Sequence, residues 1–170
     1  MVDTNAKFDD PTGAERTDEF DSVRGIIADG VVGAAGGLVG ITMMTVVLVI
    51  GESFGAFNRD SFALLTQMLG LETVVPPVTF GFVVFLLVGM FPWPLLFASL
   101  KGYLPGKTDP VHGIFFGTAL WTGYVFAFYD GYTGLSFLLY LVVTLIAHWM
   151  YGIGVGLVFD YLSSRPDTLV

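Results

Sequence analysis

Apolar residues fill four stretches of the chain, at residues 31–50, 78–100, 111–129 and 135–159, and none contains an Asp, Glu, Lys or Arg. At a rise of ~1.5 Å per residue, about 20 helical residues cover a hydrocarbon core of ~30 Å. The pattern therefore predicts an all-α fold: an integral membrane four-helix bundle occupying residues 22–162, with short connections and no separate soluble domain. The first helix is expected to start near Ser22, capped by Asp21 and Ser22. The longest connection, residues 51–77, carries Phe62, Leu64, Leu65, Met68 and Leu69 near helical spacing. It predicts a short helix at 62–71, capped by Asp60 and Ser61, that lies along the outer interface or plugs the bundle. Pro76 and Pro77 open the second span, and Pro92 and Pro94 around Trp93 kink it, because each proline removes a backbone hydrogen bond.

Composition strengthens the membrane reading. Charged residues make up 13% of the chain and hydrophobic residues 54%, against about 25% charged in a soluble domain. Cysteine is absent, which removes disulfides, thiolate metal sites and thiol nucleophiles. Asp3, Asp9, Asp10, Glu15, Asp18, Glu19 and Asp21 crowd the first 21 residues, predicting a disordered acidic cytoplasmic tail rather than a targeting peptide. Such a tail repels nucleic acid, so no nucleic-acid partner is expected. With 15 acids against 7 bases and few lysines, the composition suits a host with a salty cytoplasm. An amino terminus in the cytoplasm puts Lys7, Arg16, Arg24, Lys101, Lys107 and Arg165 inside and Arg59 alone outside. The positive-inside rule then predicts a multi-pass cell-membrane protein with both termini cytoplasmic, including a short tail at 163–170.

Candidate chemistry is sparse. Gly33 and Gly37, Gly36 and Gly40, Gly113 and Gly117, and Gly152 and Gly156 each stand four residues apart, the spacing that lets helix backbones approach closely in lipid. They read as packing seams, within the bundle or toward other membrane subunits or a second copy. His148, at mid-span beside Tyr151, is an ionisable group at a depth where such groups face protein, water or a cofactor. One reading is a haem ligand, proton relay or substrate contact. The other is a neutral imidazole hydrogen-bonded to a neighbouring helix, with Thr42, Thr45, Thr118 and Thr122 as candidate partners. Glu52 and Asp130 lie at the outer boundary and read as solvated carboxylates or, with His148, as a proton half-channel. His112 falls ~18 Å from the level of His148 on this reading, too far for a shared haem or metal. Trp121, Trp149, Tyr124 and Tyr140 read as lipid-facing bulk and interface anchors. No catalytic residue, metal site or cofactor is expected.

Ala147, His148, Trp149, Met150, Tyr151 and Gly152 followed by Gly156, with Gly113 and Gly117 before them, resemble small four-span proteins of haloarchaea and bacteria of unknown function. The chain is loosely similar in the same region to the YagU-like inner-membrane family. The resemblance implies an accessory role, of the kind suggested beside respiratory oxidases, and assigns no catalytic residue. The expected function is thus an accessory or structural membrane subunit, with a small oligomeric transporter using His148, or a haem-binding redox protein, as alternatives.

Overall fold

The computed structural model describes residues 11–164, and within 11–29 it describes the backbone. Helix α1 runs from Pro11 to Ser53. Proline suits its first turn, and no proline follows until Pro76. Two expectations are corrected here. Residues 11–21 are helical rather than disordered, and α1 passes through Asp21 and Ser22 without a start there. Residues 1–10 and 165–170, with most of the acidic tail and the last residues of the carboxyl-terminal tail, lie outside the described residues.

The loop after α1 forms a 3-10 turn, Arg59–Phe62, and then helix α2, Ala63–Met68, shorter than expected. Asn58 caps the 3-10 turn, its side chain accepting from the Asp60 amide at 3.0 Å, and α2 itself starts after Phe62 without a side-chain cap, so neither Asp60 nor Ser61 caps it. Phe62 is buried and packs beside Phe57, Phe82, Phe85 and Phe128. The α2 segment is anchored to the next helix by the Thr66 hydroxyl, which donates to the Pro77 carbonyl at 2.6 Å.

Helix α3, Pro77–Met90, starts on its proline and ends at Phe91, where a separate helix α4, Pro92–Leu100, begins. The break falls where Pro92 and Pro94 cannot donate to the preceding turn. A 3-10 turn, Lys101–Tyr103, leads to α5, Asp109–Ala127, and a turn through left-handed Gly131 leads to α6, Gly134–Ser163. Among the described residues there is no strand.

Glycine decides how the helices meet. Helices α5 and α6 run antiparallel, and every fourth residue of one faces every fourth of the other. A Cβ on Gly113 would meet the Gly152 carbonyl, one on Gly117 the His148 carbonyl, and one on Gly156 the Asp109 carbonyl. The ladder continues with Trp121 Nε1 donating to Thr144 Oγ1 at 3.0 Å and the Tyr140 hydroxyl donating to the Val125 carbonyl at 3.1 Å. Helix α1 lies antiparallel on the other side of α6, with Gly36 against Val155 and Phe159, Gly40 against Tyr151, and Gly51 against Val143. It also receives α3 and α4, with Gly37 against Met90 and Gly33 near Pro94 and Leu95. The order around the bundle is therefore α3/α4, α1, α6, α5. At the Lys101 end Phe97 closes the ring by packing on Phe116 and Phe159, each at 5.4 Å. Above it, α3 and α5 share no packed face.

Among the described residues, three helical stretches are long and apolar enough to cross a membrane, Gly30–Ser53, Pro77–Tyr103 and Gly134–Leu162. Helix α5, at 19 residues, has the length but a more polar composition. Outward positions are apolar along the bundle, including Val46, Leu87, Phe126, Leu138 and Leu157. A surface of that kind belongs in lipid, since water would drive such patches together.

Candidate functional site

His148 sits at the middle of α6 and is 4% exposed. Its partner is neither another helix nor Thr42, Thr45, Thr118 or Thr122. Nδ1 lies 2.7 Å from the Thr144 carbonyl one turn earlier on α6. The four expected threonines are engaged elsewhere. Thr42, Thr45, Thr118 and Thr122 donate to carbonyls of their own helices, and Thr118 also accepts from Trp149 Nε1 at 2.9 Å. A carbonyl can only accept, so Nδ1 carries the proton. In the neutral ring Nε2 is then a lone-pair acceptor, and it has no hydrogen-bond partner among the described residues.

The ring borders a cavity of about 440 Å³ in the gap between α3 and α5. Ile41, Met44, Phe85, Val88 and Leu120 supply apolar wall, and Trp93, Tyr124 and Phe128 supply aromatic wall. Ala119, Gly123 and Ala127, four apart on α5, hollow it out, and all three are exposed at its mouth. Tyr151, the other intramembrane candidate, also borders the cavity, but its hydroxyl donates to the Gly89 carbonyl at 2.7 Å. Tyr124 meets the His148 ring edge to face at 4.7 Å, and its hydroxyl is buried without a partner. Tyr124 and Tyr140 are buried rather than lipid-facing, and Trp121 and Trp149 bond across the α5–α6 seam.

Glu52 and Asp130 do not join this site. Glu52 accepts from Arg59 Nε at 2.6 Å in a paired contact, and Asp130 accepts from Asn58 Nδ2 at 3.1 Å, both at the α2 end. Between them Tyr132 stacks on Tyr140 at 4.5 Å. Burial raises the pKa of its hydroxyl above 10.0, and the nearby Asp130 charge adds to the shift. The sign follows: in the unfolded chain this tyrosine ionises near pH 10, so its contribution to stability is intact below that pH and is lost as pH rises through the folded value. Tyr132→Phe is expected to flatten the alkaline part of the stability profile, read by unfolding in detergent between pH 9 and about pH 11. An unchanged alkaline slope would contradict the burial of this hydroxyl.

His112 lies on the turn below Gly113, with Nδ1 3.5 Å from Asp109 Oδ1. Because Gly113 faces Gly152 and Gly117 faces His148, the two histidines differ by about five residues in level, ~7.5 Å rather than ~18 Å. His112 nevertheless stays outside the cavity wall, and no group of three or more metal-ligating side chains assembles among the described residues.

Sequence reasoning reached His148 and Tyr151 but missed Thr144, Tyr124 and Trp93. The signal for Thr144 was present: Tyr140, Thr144, His148, Gly152 and Gly156 recur every four residues and mark one face of α6.

An all-helical bundle with three helices able to span a bilayer, apolar on its outside and holding a buried histidine beside an apolar cavity, is a membrane protein. Residues 27–170 match the model of a family of unknown function, DUF6789, and the chain belongs to that family. No curated protein and no solved structure matches it.

Proposed function

We propose that the chain is a non-catalytic membrane protein that crosses the bilayer four times and holds a small membrane-soluble molecule in the cavity between α3 and α5. The observation that carries this reading is the cavity itself, apolar, of ligand size, and floored by one imidazole at mid-membrane depth. Its mouth opens beside exposed Ala119, Gly123 and Ala127, on the second half of an α5 whose outer face is apolar, so a ligand enters from lipid rather than from water.

A fourth crossing by α5 is supported by its pairing with α6 along nearly its whole length and by exposed Val111, Phe115 and Phe126 on its outer face. Six bases against one support cytoplasmic termini, and the acid-rich, lysine-poor composition supports a host with a salty cytoplasm. An accessory place in a larger membrane assembly, including a respiratory one, fits the same reading. Each of the glycines that suggested a partner subunit packs against another part of the chain, so such a partner would meet the exposed apolar faces instead. A transport path finds less support: phenylalanines close the bundle around Phe97 at one end and around Phe62 at the other.

The test is extraction. Protein purified from native membrane is expected to carry a small molecule, identified by mass spectrometry of its organic extract. Gly123→Leu, placed where nothing lies within 4 Å of a new Cβ, is expected to fold and to lose it. Identical extracts from both proteins would sink the reading.

A haem is a second reading, favoured by one observation. Histidines that bind metal through one nitrogen commonly donate the other N–H to a carbonyl, as His148 Nδ1 does to Thr144. It requires a Soret band in the purified protein, removed by His148→Leu.

A further inference from the structure

We infer that the cavity selects a membrane-soluble phenol-type alcohol, whose hydroxyl donates to Nε2 of His148. This rests on the cavity being a binding site, and the polar groups of its wall then determine the head group. Tyr151 and Thr122 have their hydroxyl protons committed to the carbonyls of Gly89 and Ala119. His148 has its Nδ1 proton committed to Thr144, which leaves Nε2 as an unpartnered acceptor on a buried residue. A ligand that presents only carbonyl oxygens, such as an ester or a quinone, can accept from the unpartnered Tyr124 hydroxyl but offers Nε2 no proton and leaves that acceptor unpaired. A hydroxyl instead completes the imidazole and keeps its own oxygen lone pairs available to the unpartnered hydroxyl of Tyr124, which packs against the same ring.

The remainder of the wall restricts the molecule further. Among the described residues no charged side chain borders the cavity, so an ionised head group would be desolvated without a counter-charge. Phe85, Trp93, Tyr124 and Phe128 offer aromatic faces and edges, which favour a flat ring packed in offset or edge-to-face contact over a branched aliphatic head. The mouth opens beside exposed small residues of α5, which leaves room for an alkyl tail to run out into lipid.

The experiment uses the full chain in lipid nanodiscs and two probes, 4-hexylphenol and its methyl ether, which differ in the hydroxyl proton. Binding is read by tryptophan fluorescence and by the ¹⁵N resonance of His148 Nε2. The phenol is expected to bind saturably, to move the Nε2 resonance, and to bind about tenfold or more tightly than the ether. Gly123→Leu removes saturable binding of both probes, and His148→Phe removes the preference between them. The wild-type comparison stands by itself where the histidine variant does not fold. Equal binding of phenol and ether overturns the hydroxyl inference and leaves the cavity as a binding site. Absence of saturable binding by either probe overturns the hydroxyl inference as well, and identical native extracts from the wild type and Gly123→Leu would in addition remove the binding site.

Discussion

Gly113→Ala is expected to destabilise the bundle by about 3 kcal/mol, and Gly152→Ala by a similar amount, because neither new methyl group has anywhere to go. The Cβ at 113 would meet the carbonyl oxygen and carbon of Gly152, and the Cβ at 152 the same atoms of Gly113. Those are backbone atoms of two long helices, so relief requires α5 and α6 to separate along their whole seam. Separation would also stretch the Trp121–Thr144 and Tyr140–Val125 hydrogen bonds further along. In hydrocarbon no water replaces them. The control lies on the same helix. Gly123 has nothing within 4 Å of a new Cβ, so Gly123→Ala is expected to leave stability within about 1 kcal/mol of the native chain. Titration with denaturing detergent, followed by helicity, measures both. Equal loss at 113 and 123 would mean that the close approach is not the cause, since helix propensity by itself favours alanine over glycine.

Lys101→Met is the second change expected to be costly. Lys101 Nζ lies 2.6 Å from Asp109 Oδ2, where the carboxylate is 13% and the ammonium 30% exposed, and it also sits 5.4 Å above the Phe159 ring. The pair ties the start of α5 to the end of α4 and to α6. Removing the cation leaves a largely desolvated carboxylate with His112 as its remaining ring partner. Breaking a buried pair from one side costs about 3–5 kcal/mol. Since this pair keeps some contact with water, about 2 kcal/mol is expected. The double variant Lys101→Met/Asp109→Asn removes the stranded charge and is expected to recover more than half of that loss. A double variant no more stable than the single one would show that lysine acts by packing its chain on Phe159 rather than through its charge.

Both outcomes depend on features of very different legibility. The glycines were visible as pairs four residues apart, but spacing does not say whether a seam faces a neighbouring helix or a separate subunit. The structure turns Gly37 to Met90, Gly40 to Tyr151 and Gly113 to Gly152. That choice depends on helix order around the bundle, which no local pattern encodes. The histidine was conspicuous for its depth, yet its bond to Thr144 on its own helix was not expected. In a bilayer a polar side chain meets its need from whichever carbonyl is nearest, and the preceding turn is always near. Tyr124 and Tyr140 were placed toward lipid because aromatics frequent the interface. Helix rotation turned them inward.

The sequence by itself determined that this chain lives in oil. Long charge-free stretches permit little else, and proline at 77, 92 and 94 sets where helices start and bend by local covalent geometry. Tertiary structure alone decided that α3 and α5 stand apart, that His148 keeps a free acceptor nitrogen, and that small residues on α5 leave a cavity in front of it. The reason is physical: burial in lipid is a property of each segment, whereas a void is a property of how segments fail to meet.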